Sequence, residues 1–410
     1  MNIPEIKFGK SAYRAHEGGL TYAEKLSEVT ASDINGYKDA LLTDGFVKFE
    51  ERTLGGCEYT AYIKDGDAVF LTYYPTVGEA VVITEEKTNY RDFSDVSEDK
   101  GKSVLLTQLD LKDFGLSYAI RLSDGRFILF DGGWAFEEDA DNLFAKLSEE
   151  AEGDGIDIAL WIMTHPHLDH YRIFFPFMEK YGDKVKVEKM LFNFFDADKS
   201  EEVCHPALAN HDELLNLERF YSMIEERSIP VFRPHTGQVF EVGGVRIEML
   251  FGPDNNFYLP LKGSNPISLA FKMLIEGQTI LWTGDSQFQG NNFTDIYGDY
   301  LKCDIIQVPH HGFHGSTMAL FNLAGAHTYF NPTFEDDCFG RICMKYGCIY
   351  KSWYLPTTRA YFTGSRTDEP IGINHVTLKL PFTPTDKDRE ALDELLVKYN
   401  VSEDNVELDF

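Results

Sequence analysis

Four potential metal ligands stand within six residues, His165-Pro166-His167-Leu168-Asp169-His170, one residue after the apolar run Ile158-Ala159-Leu160-Trp161-Ile162-Met163. A buried strand that ends in such a cluster constrains the chain more than any other feature. His165 and His167 are two apart, so on an extended loop their side chains converge on one ion. Asp169 and His170 are adjacent, so a turn can aim both at a second ion. A lone loop histidine is usually just solvated; three histidines and an aspartate at one strand end read as a metal site. Imidazole and carboxylate suit zinc, manganese or iron. A close metal pair binds a bridging hydroxide at neutral pH and stabilises the charge that develops when it attacks a carbonyl or phosphoryl centre.

The same pattern recurs along the chain. Phe127-Ile128-Leu129-Phe130 runs into Asp131-Gly132-Gly133, Thr279-Ile280-Leu281-Trp282 into Thr283-Gly284-Asp285, and Asp304-Ile305-Ile306-Gln307-Val308 into Pro309-His310-His311. Strands alternating with helical segments, with polar residues at the strand ends, point to an α/β domain with its chemistry on the connecting loops.

About 100 residues precede this pattern. Ser32 is a candidate cap for a helix through Tyr37-Lys38-Asp39-Ala40-Leu41-Leu42, stopping near Gly45. The strands Phe46–Glu50, Glu58–Ile63, Ala68–Tyr73 and Ala80–Thr84 follow, with Asp65-Gly66 marking a hairpin. The polar stretch from Glu85 to Lys102 reads as a linker. Near the C-terminus, Thr385 precedes a helix whose apolar positions Leu392, Leu395 and Leu396 share one face. The expected organisation is a small N-terminal α+β domain over 1–100, the α/β domain over 101–385, and a C-terminal helix with an acidic tail over 386–410.

With 67 acidic against 38 basic side chains, the net charge is −29. Such a field repels polyanions, which argues for a small-molecule substrate and against long nucleic acid. The start shows no basic segment leading into an apolar one, and no apolar run is long enough to span a bilayer. Six cysteines make no disulfide framework, and Cys338, Cys343 and Cys348 lack the spacing of a zinc knuckle; buried free thiols in a cytoplasmic protein are expected. Oligomeric state is left open.

The motif at His165–His170, with Asp131-Gly132-Gly133, Thr283-Gly284-Asp285 and Pro309-His310-His311-Gly312 following in order, resembles the metallo-β-lactamase superfamily over about residues 104 to 330. The resemblance implies an αββα sandwich and two divalent metal ions, zinc first and manganese or iron as alternatives. It implies His165 and His167 on one metal, Asp169 and His170 on the other, and Asp285 bridging both, with Asp169 and Asp285 catalytic. The third ligand of the first metal is His205 or His211, with His205 preferred. His310 or His311 completes the second, and strand alternation favours His310, the first residue past the strand. Asp131 is expected to support a ligand histidine. Tyr171, Arg172, Asn265, His314 and His375 are candidate substrate contacts.

Asn265-Pro266-Ile267-Ser268-Leu269, Leu281-Trp282-Thr283-Gly284-Asp285 and Val308-Pro309-His310-His311-Gly312 are further similar to the hydrolase domain of bacterial DNA-uptake competence proteins. Phe313 stands where that branch usually has serine. The function expected is metal-dependent hydrolysis, with a phosphodiester ahead of a lactone, thioester or β-lactam. A di-iron redox or sensing module ranks last, since no Gly-rich phosphate loop marks a flavin-binding partner.

Overall fold

Along the strand Phe127–Asp131, Phe127 and Leu129 join one apolar cluster while Ile128 and Phe130 join another. That alternation is what a strand covered on both faces requires. The structure is a computed structural model. It describes all residues except 1–2, 16–19, 87–92, 96, 154, 195–210, 256–264, 289–291, 314, 343–352, 364–374 and 403–410.

Phe127–Asp131 lies inside a mixed eight-stranded sheet. Its order runs Val231–Phe232, Met190–Leu191, Ile156–Ile162, Phe127–Asp131, Ser117–Arg121, Leu105–Gln108, Val376–Lys379, with Val185–Val187 also pairing Ile156–Ile162. A second eight-stranded sheet runs Arg359–Phe362, Thr328–Asn331, Ile305–Gln307, Gln278–Trp282, Ala270–Ile275, Val245–Phe251, Val239–Val242, Ser94–Asp95. The inner faces meet in one core, where Phe130 stacks on Trp282 at 4.2 Å and Tyr118 meets Trp282 edge-on.

Helices cover both outer faces. Glu137–Ala151, Phe174–Tyr181 and His211–Glu226 pack on the first sheet, and Met318–Ala324 and the C-terminal helix Asp386–Lys398 on the second. This is the αββα sandwich that the resemblance implies. The C-terminal helix begins at Thr385, whose N–H and hydroxyl both donate to Asp388, and it buries Leu392 and Leu396 as its pattern predicts. Among the described residues no helix is long and apolar enough to cross a membrane.

The N-terminal residues form a six-stranded antiparallel sheet in the order Lys10–Ala15, Leu20–Ser27, Glu79–Glu86, Asp67–Tyr74, Cys57–Lys64, Val47–Leu54. Asp65 and Gly66, at φ of 54° and 93°, make the expected hairpin turn between paired Lys64 and Asp67. The helix Ala31–Thr43 covers one face through Ile34, Tyr37 and Leu41. Its cap is Thr30 rather than Ser32, because Asp33 stands three residues on and accepts from the Thr30 N–H. The expected linker also contributes structure. Glu85 and Glu86 extend a strand, and Ser94–Asp95 adds an edge strand to the second eight-stranded sheet. The other face of the six-stranded sheet shares a core with Leu250, Phe251, Phe288 and Tyr297 of the sandwich.

Candidate metal centre

The strand Ile156–Ile162 ends against the edge of the sandwich, and the chain then turns through Thr164 into the short helix Leu168–Tyr171. Three neighbouring strand ends converge on the same place, and at each the backbone enters the left-handed region. Asp131 has φ 46°, Gly284 φ 50°, and His310 and His311 φ 50° and 54°. For residues with side chains that conformation is strained, and strain of this kind collects at functional sites. At Gly284 no side chain fits, since a Cβ there would lie 2.3 Å from Ser268 Oγ.

Two overlapping groups of ligating atoms result, His165 with His170 and Asp285, and Asp169 with His170 and His311. Within each group the atoms lie within 4.8 Å of one another. Asp285 Oδ2 is 3.2 Å from His170 Nε2, 3.3 Å from His311 Nε2 and 3.8 Å from His165 Nε2. Asp169 Oδ2 is 3.0 Å from His311 Nε2. His165, His170, Asp285 and His311 are at most 2% exposed.

The outer nitrogens of the three buried imidazoles are fixed by the protein. His170 Nδ1 lies 2.7 Å from Asp131 Oδ2, and His311 Nδ1 lies 2.6 Å from the Pro332 carbonyl. Both partners only accept, so both Nδ1 atoms carry hydrogen. Thr164 Oγ1 gives its single proton to Asp131 and therefore accepts from His165 Nδ1 at 3.1 Å. All three rings thus turn Nε2 inward. His165 Nε2 and Asp285 Oδ1 have no hydrogen-bond partner among the described residues. His170 Nε2 and His311 Nε2 face each other at 3.3 Å. Inward lone pairs and carboxylates packed this closely need positive charge among them, and the donor set fits divalent metal ions.

With protons as the only cations, the cluster polarises. Burial opposes charge on His170, but the carboxylates of Asp285, Asp169 and Asp131 outweigh it and hold its pKa well above the ordinary value. His311 is carried to about 10 the same way, against burial, chiefly by Asp285. Burial also opposes charge on Asp285 and Asp169, yet His170 and His311 hold both below the usual carboxylate range. His165 goes the other way, driven well below its ordinary value by burial and then by His170.

Several residues lie differently from the sequence expectation. The ring that faces the cluster is that of His311, not His310. Extended alternation stops at Gln307, and two successive left-handed residues redirect both rings. His310 Nε2 instead lies 2.9 Å from Asn265 Nδ2. His167 packs edge-on against His165 at 4.6 Å, outside both ligating groups. Tyr171 is fully buried among Phe175, Phe194 and Phe220, so it packs the core rather than facing a substrate. His375 Nδ1 accepts from the Asp110 N–H, and Arg172 is partly buried. His205 and His314 lie outside the described residues, as do Cys343 and Cys348. His211 begins a helix, its side chain undescribed. Cys338 is buried, outside any disulfide, with its Sγ 3.1 Å from the Tyr354 hydroxyl. Thr164, Ser268 and Pro332 support the centre without being anticipated. Ser268 Oγ accepts from the Asp285 N–H at 3.0 Å and lies 3.4 Å from His165 Nδ1.

A family model described as the metallo-beta-lactamase superfamily matches residues 111–326, more than half of the chain. The chain belongs to the metallo-β-lactamase superfamily. Members are generally hydrolytic and bind divalent metals. No curated protein matches the sequence. Among solved structures, the chain is similar to the metallo-β-lactamase-fold protein YhfI from Bacillus subtilis, with 14% identity, 59% of this chain and 93% of that one covered, and a TM-score of 0.37. It is also similar to Zn²⁺-bound PqqB from Methylobacterium extorquens, with 11% identity, 52% and 58% covered, TM-score 0.29. A flavo di-iron protein variant from Thermotoga maritima shares 13% identity over 86% and 61%, TM-score 0.28.

Proposed function

We propose that this superfamily member is a dinuclear metal-dependent hydrolase that cleaves a phosphodiester in a small substrate. The observation that carries the reading is the inward set of His165, His170 and His311 Nε2 atoms around the Asp285 carboxylate, each ring held by its outer nitrogen. His165 and His167 would hold one metal, with His205 preferred over His211 as its third histidine and Asp285 shared with the other metal. Asp169, His170, Asp285 and His311 would hold the other. A bound pair supplies a water-derived nucleophile at neutral pH and Lewis-acid stabilisation of the developing charge. Zinc is the first candidate, manganese and iron the next.

The chain's own residues prepare the site. Asp131 keeps the His170 proton on Nδ1, Pro332 does the same for His311, and Thr164 for His165, so the inward nitrogens remain free to ligate. Asp285 is held in place by its own N–H on Ser268. Burial keeps bulk water from screening these charges. The preference for a phosphodiester rests on the order of the segments around Asn265, Asp285 and His310. The preference for a small substrate rests on the acidity of the chain.

The test is hydrolysis of bis(p-nitrophenyl) phosphate by metal-stripped protein given back Zn²⁺, Mn²⁺ or Fe²⁺. Turnover is expected only with metal, and Asp169→Asn and Asp285→Asn should lose it together with metal content while remaining folded. Full activity in both variants would remove these residues from the site. Bound metal without turnover would overturn the phosphodiester and direct the search to lactones and thioesters.

A further inference from the structure

Beside the metal centre lies an aromatic group that the proposed chemistry does not use. Phe114 is its hub. Its ring meets His311 at 5.3 Å, Trp134 at 6.0 Å and Phe313 at 6.2 Å, at interplanar angles of 75°, 86° and 81°. The described ring contacts of Phe114 and Trp134 are edge-to-face, so neither ring is stacked flat on a neighbour, and Trp134 and Phe313 stand across the Phe114 plane. Phe114, Trp134 and Phe313 are each only partly buried. Elsewhere large apolar side chains are mostly in the core, and the other three tryptophans, Trp161, Trp282 and Trp353, are at most 1% exposed.

The group is tied to the ligands through the backbone. Trp134 Nε1 donates to the Phe114 carbonyl at 2.7 Å, joining the two loops that carry the rings. Leu116 N–H donates to Asp169 O and Gly133 N–H to His170 O, so both loops are registered on the ligand motif itself. His311 belongs at once to the ligating cluster and to the aromatic group. A substrate whose reacting bond lies at the metals therefore has partly exposed aromatic surface within one side chain of it.

We infer that Phe114, Trp134 and Phe313 form an aromatic wall for the base of a nucleoside phosphodiester, which lies flat against one ring and meets the ring set across it edge-on. The inference deepens the proposed function and rests on it. A nucleobase is planar, offers a π face whatever its identity, and sits within a few bonds of the phosphate. Stacking on an aromatic side chain favours it over an aliphatic alcohol of the same charge. A single nucleoside unit also carries little charge, as the acidity of the chain requires.

Trp134 supplies the readout, being the one tryptophan that is not fully buried. Metal-loaded protein is titrated with adenosine monophosphate and with glycerol phosphate, following tryptophan emission for the first and competition for the second. The expected result is saturable quenching by the nucleotide that disappears in Trp134→Phe, and weaker binding of glycerol phosphate. Phe114→Leu and Phe313→Leu, which keep apolar bulk and remove the π face, should weaken nucleotide binding roughly 5- to 150-fold while leaving glycerol phosphate unchanged. Equal affinity for the two ligands, or equal losses for both in the Leu variants, overturns the wall.

Hydrolysis separates this from the parent reading. If thymidine p-nitrophenyl phosphate and methyl p-nitrophenyl phosphate are turned over with equal kcat/KM in wild type and Leu variants, the phosphodiesterase stands and the wall falls. If neither is turned over but the nucleotide binds through the three rings, the wall stands and the phosphodiester falls.

Discussion

The adjacent histidines after the strand Ile305–Gln307 show how one residue's backbone decides its chemistry. Were the strand to continue, His310 and His311 would point to opposite faces, and the first would meet the cluster. Both instead take left-handed φ values, a conformation costing roughly 1–2 kcal/mol for each side-chain-bearing residue, and His311 delivers Nε2 to Asp169 and Asp285. Removing His311 should therefore cost far more metal than removing His310. The expected outcome is that His311→Ala retains about half the metal of wild type or less, as one of the two proposed sites empties, while His310→Ala loads normally. Metal analysis after dialysis reads this directly, and the reverse order would return the ligand role to His310. The ligand motif was legible because four donors in six residues have few other uses. The choice between His310 and His311 was not, because nothing in Pro309-His310-His311-Gly312 announces two left-handed turns.

At the scale of elements, the segment from Leu109 to Leu116 is what brings Phe114 to the centre, and the helix Glu137–Ala151 holds it. Asp139 Oδ1 accepts the Lys112 N–H at 2.9 Å, whereas Oδ2 is buried with no hydrogen-bond partner among the described residues. Burial, helped by Glu138 and Asp110, pushes the Asp139 carboxyl up to about 7. The folded protein thus keeps a proton that the unfolded chain releases near its ordinary value, and stability falls as pH rises between about 4 and about 7. Asp139→Asn keeps the acceptor for Lys112 and removes the titration. It should raise stability by on the order of 2–4 kcal/mol at pH 8 and change little at pH 4. Thermal melts of both proteins at the two pH values check this, and parallel curves would show that Asp139 is stably ionised in the fold.

The strands that surround this segment were legible wherever alternation or an Asp-Gly turn marked them, as at Phe127–Asp131 and the Lys64–Asp67 hairpin. Lys10–Ala15 and Leu20–Ser27 were not. Their mixed charged and small residues carry no clear period, and pairing to Glu79–Glu86 makes them strands. The Phe114 loop gave no signal either, since its role depends on residues nearly 200 positions away.

Across the whole molecule, the N-terminal sheet is joined to the sandwich by more than apolar contact. His235 lies in the junction, its Nδ1 3.1 Å from Asp254 Oδ1 and its Nε2 3.2 Å from Glu85 Oε1, with the Phe70 ring against it at 4.2 Å. Glu85 and Phe70 belong to the N-terminal sheet, His235 and Asp254 to the sandwich, and the three charged groups are at most 2% exposed. Thr72 donates to the Thr236 carbonyl and Asn255 to the Tyr74 hydroxyl, so hydrogen bonds flank the charges across the same junction. Burial opposes charge on His235, but Asp254 and Glu85 outweigh it and carry its pKa to about 10. Its contribution to stability is therefore full below about 6.5 and lost as pH rises through about 10. His235→Ala leaves two carboxylates buried without their counter-charge, which typically costs about 3–5 kcal/mol. The variant should unfold at lower urea and lose the part of the alkaline decline that wild type shows between about pH 7 and 10. Adding Glu85→Gln to His235→Ala should recover part of the loss, because it removes one of the orphaned charges. A single variant as stable as wild type, with the same alkaline profile, would mean that the junction is held by its apolar core alone and that the buried charges contribute nothing net to holding the two parts together.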